Sequence, residues 1–184
     1  MKKQIYFITG NKSKYEEAQL ILNNASIVLV QKDLQLTEIQ SIDQEQIVLD
    51  KAEQAFNQLK QPVLVDDTAI FFEQYLGFPG VYTKHVFNTL GIKGIQRLLR
   101  NSDRSAYFRT LVCYKDAQSC KLFSGVWKGV ITRNISKLFN PDWQYNSIFI
   151  PEGYTKPLSE ISIEERSTQS HRRKAFNELM RYFA

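Results

Sequence analysis

The sequence has 184 residues, of which 43% are hydrophobic and 12% aromatic, and its formal net charge is +5. This length suits one domain with a sizeable core, and the composition excludes disordered and fibrous classes. No apolar run is long enough to cross a bilayer and the first eleven residues lack a signal-peptide core, so we expect a cytoplasmic protein that does not bind membranes.

The first half of the chain is predicted to alternate strands with helices, because buried apolar runs alternate with apolar residues at helical spacing. Its predicted elements are strands over 4–9, 26–30 and 63–65 and helices over 12–23 and 43–60. Ser41 or Asp43 can cap the second helix, Pro62 ends it, and the strand that follows is predicted to stop at Asp66.

The second half is predicted to be richer in β-structure. Its predicted elements are a helix over 92–101, three strands within 105–135 and a closing helix from about residue 170. Cys113 and Cys120 flank a predicted turn, and without a secretion signal we expect both thiols to be free. Together the elements predict a single α/β domain over residues 1–184, built around a mixed sheet.

The stretch TGNKSK at residues 9–14 follows the first predicted strand directly. A polar turn into a helix start presents free backbone N–H groups to an anion, and Thr9 and Asn11 add side-chain donors. Lys14 adds a mobile cation that would oppose the helix dipole unless an anion is bound. The pattern predicts a short phosphate-binding turn without Walker A spacing, and the alternative is a solvated turn with surface lysines.

Three acidic residues are candidates for metal binding and catalysis. Asp66 and Asp67 follow the third predicted strand, where adjacent side chains point to opposite sides, so that one can face a cleft while the other caps a turn. Glu38 precedes the second helix and by itself suits a solvated acid. Mg²⁺ prefers a few carboxylate oxygens together with waters and substrate phosphates, and Glu38 could join the aspartate pair to supply them.

Ser170, His171 and Arg172 open the closing helix within QSHRRK. Ser170 suits an N-cap, and His171 and Arg172 could donate hydrogen bonds to a carbonyl oxygen of a ligand. Consecutive cations at a helix start are unfavourable without a counter-anion. Together with the lysines of the first helix and the three acids, this cluster predicts a site for Mg²⁺ and a polyphosphate.

The order of these motifs resembles the inosine triphosphate pyrophosphatase family. The likeness runs nearly end to end through TGNKSK, LTEIQ, VDDTAIFFEQYLGFPGVYTKHV, FIPEGYTKPLSEIS and EERSTQSHRRKA. The resemblance implies an elongated mixed β-sheet with flanking helices, two lobes around a central nucleotide cleft, and usually a homodimer. It also implies a Mg²⁺-dependent enzyme that cleaves non-canonical purine nucleoside triphosphates such as ITP, dITP and XTP to a monophosphate and pyrophosphate.

The resemblance further implies roles for individual residues, with Arg166 standing where the family usually has a phosphate-binding lysine. The implied residues are Thr9, Asn11, Lys14 and Arg166 for the triphosphate, Glu38 and Asp67 for Mg²⁺, Asp66 or Asp67 for the attacking water, and Ser170, His171 and Arg172 for the purine 6-oxo group. Donors at that position suit an oxo group, whereas the amino group of adenine would leave them unpaired.

One stretch departs from the family pattern. The base-binding loop commonly reads G-F-G-Y/W-D-P, whereas residues 142–147 here read DWQYNS. Trp143 can replace the stacking phenylalanine and Tyr145 fits the pattern. The positions that differ are Gln144, Asn146 and Ser147. Changed base specificity and a nucleotide-binding protein with weak turnover therefore stay open as alternatives. A Maf-type pyrophosphatase is a further alternative of the same class. A nucleic-acid-binding module, which the +5 charge and the SHRRK run would serve, is not expected.

Overall fold

The computed structural model describes residues 3–23, 25, 27–101, 103–138 and 145–184. Their strands form one sheet and are β1 (Lys3–Ile8), β2 (Ile27–Lys32), β3 (Val63–Phe72), β4 (Pro79–Gly80), β5 (Ser105–Lys115), β6 (Cys120–Ile131) and β7 (Phe149–Pro151). The strand order is β2-β1-β3-β5-β6-β7, and β4 pairs with the outer part of β3. The first three of these strands pair in parallel and the others antiparallel, which confirms the predicted mixed α/β fold.

Helices flank this sheet on both faces. Those described are α1 (Lys12–Leu22), α2 (Gln44–Leu59), α3 (Thr83–Leu98), α4 (Ile163–Arg166) and α5 (His171–Tyr182). Alternate residues of a strand face opposite sides. Leu64 and Val112 therefore pack under α1 and α5, whereas Val65 and Leu111 pack under α2. None of the described helices has the length and apolar character needed to span a membrane.

The structure corrects the predicted end of β3. The strand continues to Phe72 instead of stopping at Asp66, because the apolar residues after the aspartates pair antiparallel with β5 along its whole length. Its other neighbour, β1, ends at Ile8, which lies opposite Val65. Asp66 and Asp67 therefore lie within a long strand, just beyond the point where its parallel neighbour ends.

The sequence predicted three strands within residues 105–135, but the structure has two, β5 and β6. Residues 120–131, which were predicted to contribute to two strands, form one unbroken strand. Glycines inside β6 allow other backbone segments to approach closely. A Cβ atom on Gly125 would lie 2.0 Å from the carbonyl oxygen of His171, and one on Gly129 would lie 2.3 Å from that of Ile150. These glycines allow α5 and β7 to pack against β6.

The predicted helix over 92–101 is only the second part of α3. The helix begins at Thr83 and is interrupted at Gly91, whose φ of +61° lies in the region that favours glycine. Strand β7 and the short helix α4 were not predicted from the sequence.

The remaining predicted helices and strands agree with the observed ones within two residues at each end. Asp43, not Ser41, caps α2, since its side chain accepts a hydrogen bond from the Glu45 N–H. Both cysteine thiols are free, as predicted, and the Sγ atoms of Cys113 and Cys120 lie 3.6 Å apart across the β5–β6 hairpin.

Candidate active site

A cavity of about 670 Å³ lies where β1 ends and β3 continues. It collects side chains from parts of the chain that are distant in sequence. The predicted site residues that line it are Thr9, Asn11, Lys14, Glu38, Asp66, Asp67, Tyr145, Asn146 and Arg172. A second cavity of about 630 Å³ lies beside α1 and β2, but the described residues that line it include no aspartate, lysine or arginine. The first cavity is therefore the candidate active site.

The turn between β1 and α1 opens onto this cavity. The Asn11 side chain caps α1 by accepting a hydrogen bond from the Lys14 N–H at 3.0 Å, and Thr9 Oγ1 accepts one from the Asn11 N–H at 3.1 Å. These two side chains therefore shape the turn. Lys12 points away from the cavity to solvent, where it pairs with Glu16 at 3.7 Å. Of the two lysines at this helix start, the structure places only Lys14 in the cavity.

Asp66 holds two cations of the cavity. Its Oδ1 lies 3.0 Å from Lys14 Nζ and its Oδ2 accepts a hydrogen bond from Arg172 Nε at 3.2 Å. Burial alone would raise the pKa of the Asp66 carboxyl, but Lys14 and Arg172 outweigh it and hold that pKa below its ordinary value. Asp66 is therefore ionised at neutral pH.

Arg172 has a second carboxylate partner in Glu17, which contacts its Nη1. Arg172 is 1% exposed, and burial would lower its pKa, but Glu17 and Asp66 raise it instead. The sequence reasoning missed Glu17. It stands four residues before the buried Ile21 and beside the buried Ala18 of α1, so its helical position was the available signal. The counter-anions expected for the cations of QSHRRK thus include acids of the protein itself.

His171 is buried and uncharged at neutral pH. Burial lowers its pKa well below the ordinary value of 6.5, and the charge of Arg172 adds to this effect. A chain of polar contacts links His171 to Arg172. His171 Nδ1 lies 2.6 Å from Thr110 Oγ1, and Thr110 Oγ1 lies 2.7 Å from Thr68 Oγ1. Arg172 Nη2 donates a hydrogen bond to Thr68 Oγ1 at 3.1 Å. His171 does not line the cavity itself. Its ring packs against Phe108, which does line the cavity.

Ser170 and Arg166 also lie outside the cavity lining. Ser170 caps α5, because its Oγ accepts a hydrogen bond from the Arg173 N–H, and the same Oγ donates to Glu17 at 2.8 Å. Arg166 lies within the electrostatic reach of Glu17 and Arg172, and burial lowers its pKa. A contact between a nucleotide and Ser170, His171 or Arg166 therefore stays a prediction.

Asp67 has surroundings unlike those of Asp66. It faces α2, and its Oδ2 accepts a hydrogen bond from the neutral amide of Gln44 at 2.9 Å. Glu38 also reaches the cavity and pairs with Lys51 at 2.5 Å. Lys51 lines the cavity and was missed, although it stands three residues after the inward-facing Val48 of α2.

No three Asp, Glu, His or Cys side chains of the described residues form a ready-made metal cage. The cavity does offer carboxylate oxygens of Glu38 and Asp67. Mg²⁺ is commonly held by one or two carboxylates plus waters and substrate phosphates. The donor set therefore fits Mg²⁺ bound together with a phosphate ligand.

The aromatic side chains of Phe108 and Tyr145 also line the cavity, together with the amide of Asn146. Tyr145 is 2% exposed and donates a hydrogen bond to the Thr83 carbonyl at 3.2 Å. Asn146 is 4% exposed, and its Nδ2 has no hydrogen-bond acceptor within the described part of the chain. Ser147 is buried next to it. Trp143 and Gln144, which the sequence placed in the same loop, lie outside the described residues.

Comparison with known families agrees with these motifs. The model of the Ham1 family matches residues 5–182. The chain belongs to the Ham1 family. Among similar proteins, a "dITP/XTP pyrophosphatase" from Saccharolobus solfataricus is 39% identical over 94% of this chain and 90% of its own length. An "Inosine triphosphate pyrophosphatase" from Yarrowia lipolytica is 33% identical over 98% and 95%. The family resemblance predicted from the motifs is confirmed.

Solved structures confirm the Ham1 fold. The Staphylococcus aureus Ham1 protein superposes with a TM-score of 0.81 at 23% identity, covering 98% of each chain. A dITP/XTP pyrophosphatase from Mycobacterium abscessus superposes with a TM-score of 0.73 at 21% identity, covering 96% of this chain and 98% of that one. At such identities the likeness establishes the fold alone.

Proposed function

We propose that this Ham1 protein hydrolyses non-canonical purine nucleoside triphosphates, namely ITP, dITP and XTP, to the monophosphate and pyrophosphate. The observation that carries the proposal is that Lys14, Glu38, Asp67 and Arg172, from four distant segments, line one cavity. The names of the similar proteins from Saccharolobus and Yarrowia support the same substrate class.

The triphosphate would lie over the β1–α1 turn. The first-turn N–H groups of α1 and the ammonium of Lys14 supply donors, and the Lys14 ammonium has three N–H groups, of which one contacts Asp66. Glu38 and Asp67 would hold Mg²⁺. When bound, Mg²⁺ would neutralise charge that develops on the phosphate oxygens. Lys51, paired with Glu38, would fix that carboxylate beside the phosphates.

Asp67 is the better candidate for orienting and deprotonating the attacking water. Both carboxylate oxygens of Asp66 face cations, which suits a structural anchor for Lys14 and Arg172. Asp67 accepts its hydrogen bond from the neutral amide of Gln44, which leaves carboxylate lone pairs available to accept a hydrogen bond from water. Water would attack the α-phosphorus, the α–β phosphoanhydride bond would break, and pyrophosphate would leave with the negative charge that Lys14 helps to neutralise.

Selection of a 6-oxopurine would rest on hydrogen-bond donors of α5. Arg172 has only hydrogen-bond donors and lines the cavity, and His171 lies directly behind it on the same helix. An oxo group at C6 would satisfy a donor there, whereas the amino group of adenine would leave it unpaired. Rejection of GTP would require a close fit at C2.

The test is product analysis with a nucleotide panel. Purified protein with Mg²⁺ is incubated with ITP, dITP, XTP, GTP, ATP and pyrimidine triphosphates, and monophosphate and pyrophosphate are quantified. We expect turnover of ITP, dITP and XTP, and its loss in Asp67→Asn but not in Glu178→Gln, which alters an exposed ion pair on α5. Binding without hydrolysis would indicate a nucleotide sensor, and release of inorganic phosphate alone would contradict the proposed reaction.

Asn146 favours a second candidate, a Ham1 protein with changed base selection. Its amide N–H groups are buried against the cavity without an acceptor among the residues described, so a base with an acceptor at that position would satisfy them. Xanthine carries an additional oxo group at C2, whereas hypoxanthine carries hydrogen there. If Asn146→Asp raises kcat/KM for ITP relative to XTP, this residue sets base preference; an unchanged ratio excludes that role.

The homodimer and the cytoplasmic location also belong to this proposal. Leu76 and Phe78 lie just before β4 and Tyr82 lies just after it, and these residues are 102%, 40% and 46% exposed. Exposed apolar side chains of this size commonly mark a protein contact surface. Light scattering of the wild type and of Leu76→Ser/Phe78→Ser should report a dimer and a weakened dimer, respectively; a wild-type monomer would exclude the assembly.

A further inference from the structure

Gln44 lies between Asp67 and a cation that sequence reasoning left out. It is the first residue of α2 and is 1% exposed. Its Nε2 donates to Asp67 Oδ2 at 2.9 Å and approaches the Asp67 carbonyl oxygen at 3.3 Å, while its Oε1 accepts from Arg109 Nε at 2.7 Å. A guanidinium has only donors, so the Gln44 oxygen must face Arg109 and the NH₂ group must face Asp67. The orientation of the amide is thereby determined.

Arg109 is itself held from the opposite side. It lies on β5 across from Ala69, and its guanidinium carbon lies 5.0 Å from the centre of the Phe71 ring. Phe71 in turn stacks on Tyr107 with 4.8 Å between ring centres and 7° between planes. Because side chains alternate along a strand, all of these residues lie on the face of the sheet that carries Asp67. The network is thus built into rigid sheet and a helix start.

We infer that Gln44 and Arg109 are positioning residues that fix the Asp67 carboxylate for the proposed reaction, so the inference rests on that proposed function. A carboxylate otherwise rotates about its Cβ–Cγ bond, and the Gln44 NH₂ group, directed at one carboxylate oxygen, restrains that rotation. The partner is an amide and not an ammonium. It orients Asp67 without neutralising the negative charge that a metal ion or a water molecule requires.

The contrast with Asp66 supports this division of roles. Asp66 contacts Lys14 and Arg172 directly, and those contacts balance its charge. At Asp67 the cation is placed one residue further away, behind the amide of Gln44. Two adjacent aspartates on opposite faces of β3 thereby acquire different chemistry, one as an anchor for cations and one as an oriented anion.

The test uses Gln44→Met, which keeps the size and neutrality of the side chain but removes its donor. We expect kcat with ITP to fall about 10- to 100-fold, the loss typical when an outer partner of a metal-binding carboxylate is removed. KM should change less than about threefold, because Lys14 and Arg172 keep their partners. Gln58→Met, on the exposed side of α2, is the matched control and should retain wild-type kinetics.

A second measurement does not depend on turnover. Binding of Mn²⁺ is followed by electron paramagnetic resonance in the presence of ITP with an α,β-methylene bridge, and Gln44→Met should weaken it about tenfold or more. Arg109→Met should weaken it to a smaller degree, and adding Arg109→Met to Gln44→Met should change kcat less than about twofold, because Arg109 acts through Gln44.

Several results would overturn the inference. They are unchanged kcat and Mn²⁺ affinity in folded Gln44→Met, strictly additive effects of the two substitutions, or a rise in KM at constant kcat. If the wild type hydrolyses no nucleotide, the proposed function fails, and the comparison of Mn²⁺ affinities still decides whether the network positions Asp67. If Gln44→Met does not fold, Arg109→Lys replaces it in the test, because this substitution keeps the charge but changes the donor geometry. The expected losses of kcat and of Mn²⁺ affinity are then smaller.

Discussion

Replacing His171 should change how the stability of the protein depends on pH. His171 is one of only two histidines, is 3% exposed, and is surrounded by the cations Arg172 and Lys174 of its own helix and Lys14 and Arg166 of neighbouring elements. Burial and these charges lower its pKa well below 6.5, so the folded protein holds it neutral at a pH at which the unfolded chain protonates it.

The sign and size of the effect follow from proton linkage. Because the pKa is lower in the folded state, the contribution of His171 to the free energy of unfolding is complete above pH 6.5 and is lost as pH falls. While the folded protein keeps the imidazole neutral, the loss approaches about 1.4 kcal/mol per pH unit and amounts to about 1.2 kcal/mol between pH 7.0 and 5.5.

The assay is urea unfolding at pH 7.0 and 5.5 for the wild type, His171→Asn and His85→Asn. Asparagine can keep a hydrogen bond to Thr110, and His85 is exposed on α3, so it serves as the matched control. Titration of the carboxyl groups is common to all three proteins and cancels in the comparison. We expect His171→Asn to lose about 1.2 kcal/mol less than the wild type over this interval. An unchanged pH dependence in His171→Asn, or a changed one in His85→Asn, would refute the reasoning.

Other substitutions test the packing of α5 against β6 and the cations of the site. Gly125→Ala should lower the free energy of unfolding by about 3 kcal/mol, because the added Cβ would meet the backbone of α5 at 2.0 and 2.6 Å. Urea titration measures this loss, and Ser124→Ala, at an exposed neighbouring position, is the control. Lys14→Ala should reduce kcat/KM for ITP about 10- to 100-fold, because it removes a charged hydrogen-bond donor to the phosphates. Lys12→Ala, the control, should leave kcat/KM within about twofold of the wild type. Equal losses in the two variants would contradict the placement of Lys14 alone in the cavity.

Local patterns in the sequence predict the fold class, and together with the family resemblance they predict nine of the residues that line the cavity. Apolar periodicity predicts α1, α2 and α5, and a polar turn between a strand and a helix predicts the phosphate-binding segment. The boundaries that failed depend on contacts distant in sequence. β3 extends past Asp66 because β5 pairs with it, and β6 continues past Trp127 because β5 pairs with it from Cys120 to Val130.

The partners of the site residues could not be predicted for the same reason. Glu17 and Gln44 stand on helices where an acid or an amide is usually solvated, and only the packing of α1 against α5 and of α2 against β3 buries them. Once buried, each must satisfy its polar atoms, and Arg172 and Asp67 are the groups within reach. The sequence thus predicts which residues contact a ligand more readily than which residues hold them in place.

The cations at the two helix starts can therefore be part of a stable protein before any nucleotide binds. Asp66 contacts both Lys14 and Arg172, and Glu17 contacts Arg172 again, so the buried guanidinium is balanced by two carboxylates. Without them an uncompensated buried charge would cost several kcal/mol, and ordering a long cationic side chain would cost up to about 2 kcal/mol of rotamer entropy at the moment of binding. Because these costs are met when the chain folds, a triphosphate that reaches the cavity encounters cations already in position. The lysine and the arginine can then serve an anionic ligand because acids of the protein hold them when the ligand is absent.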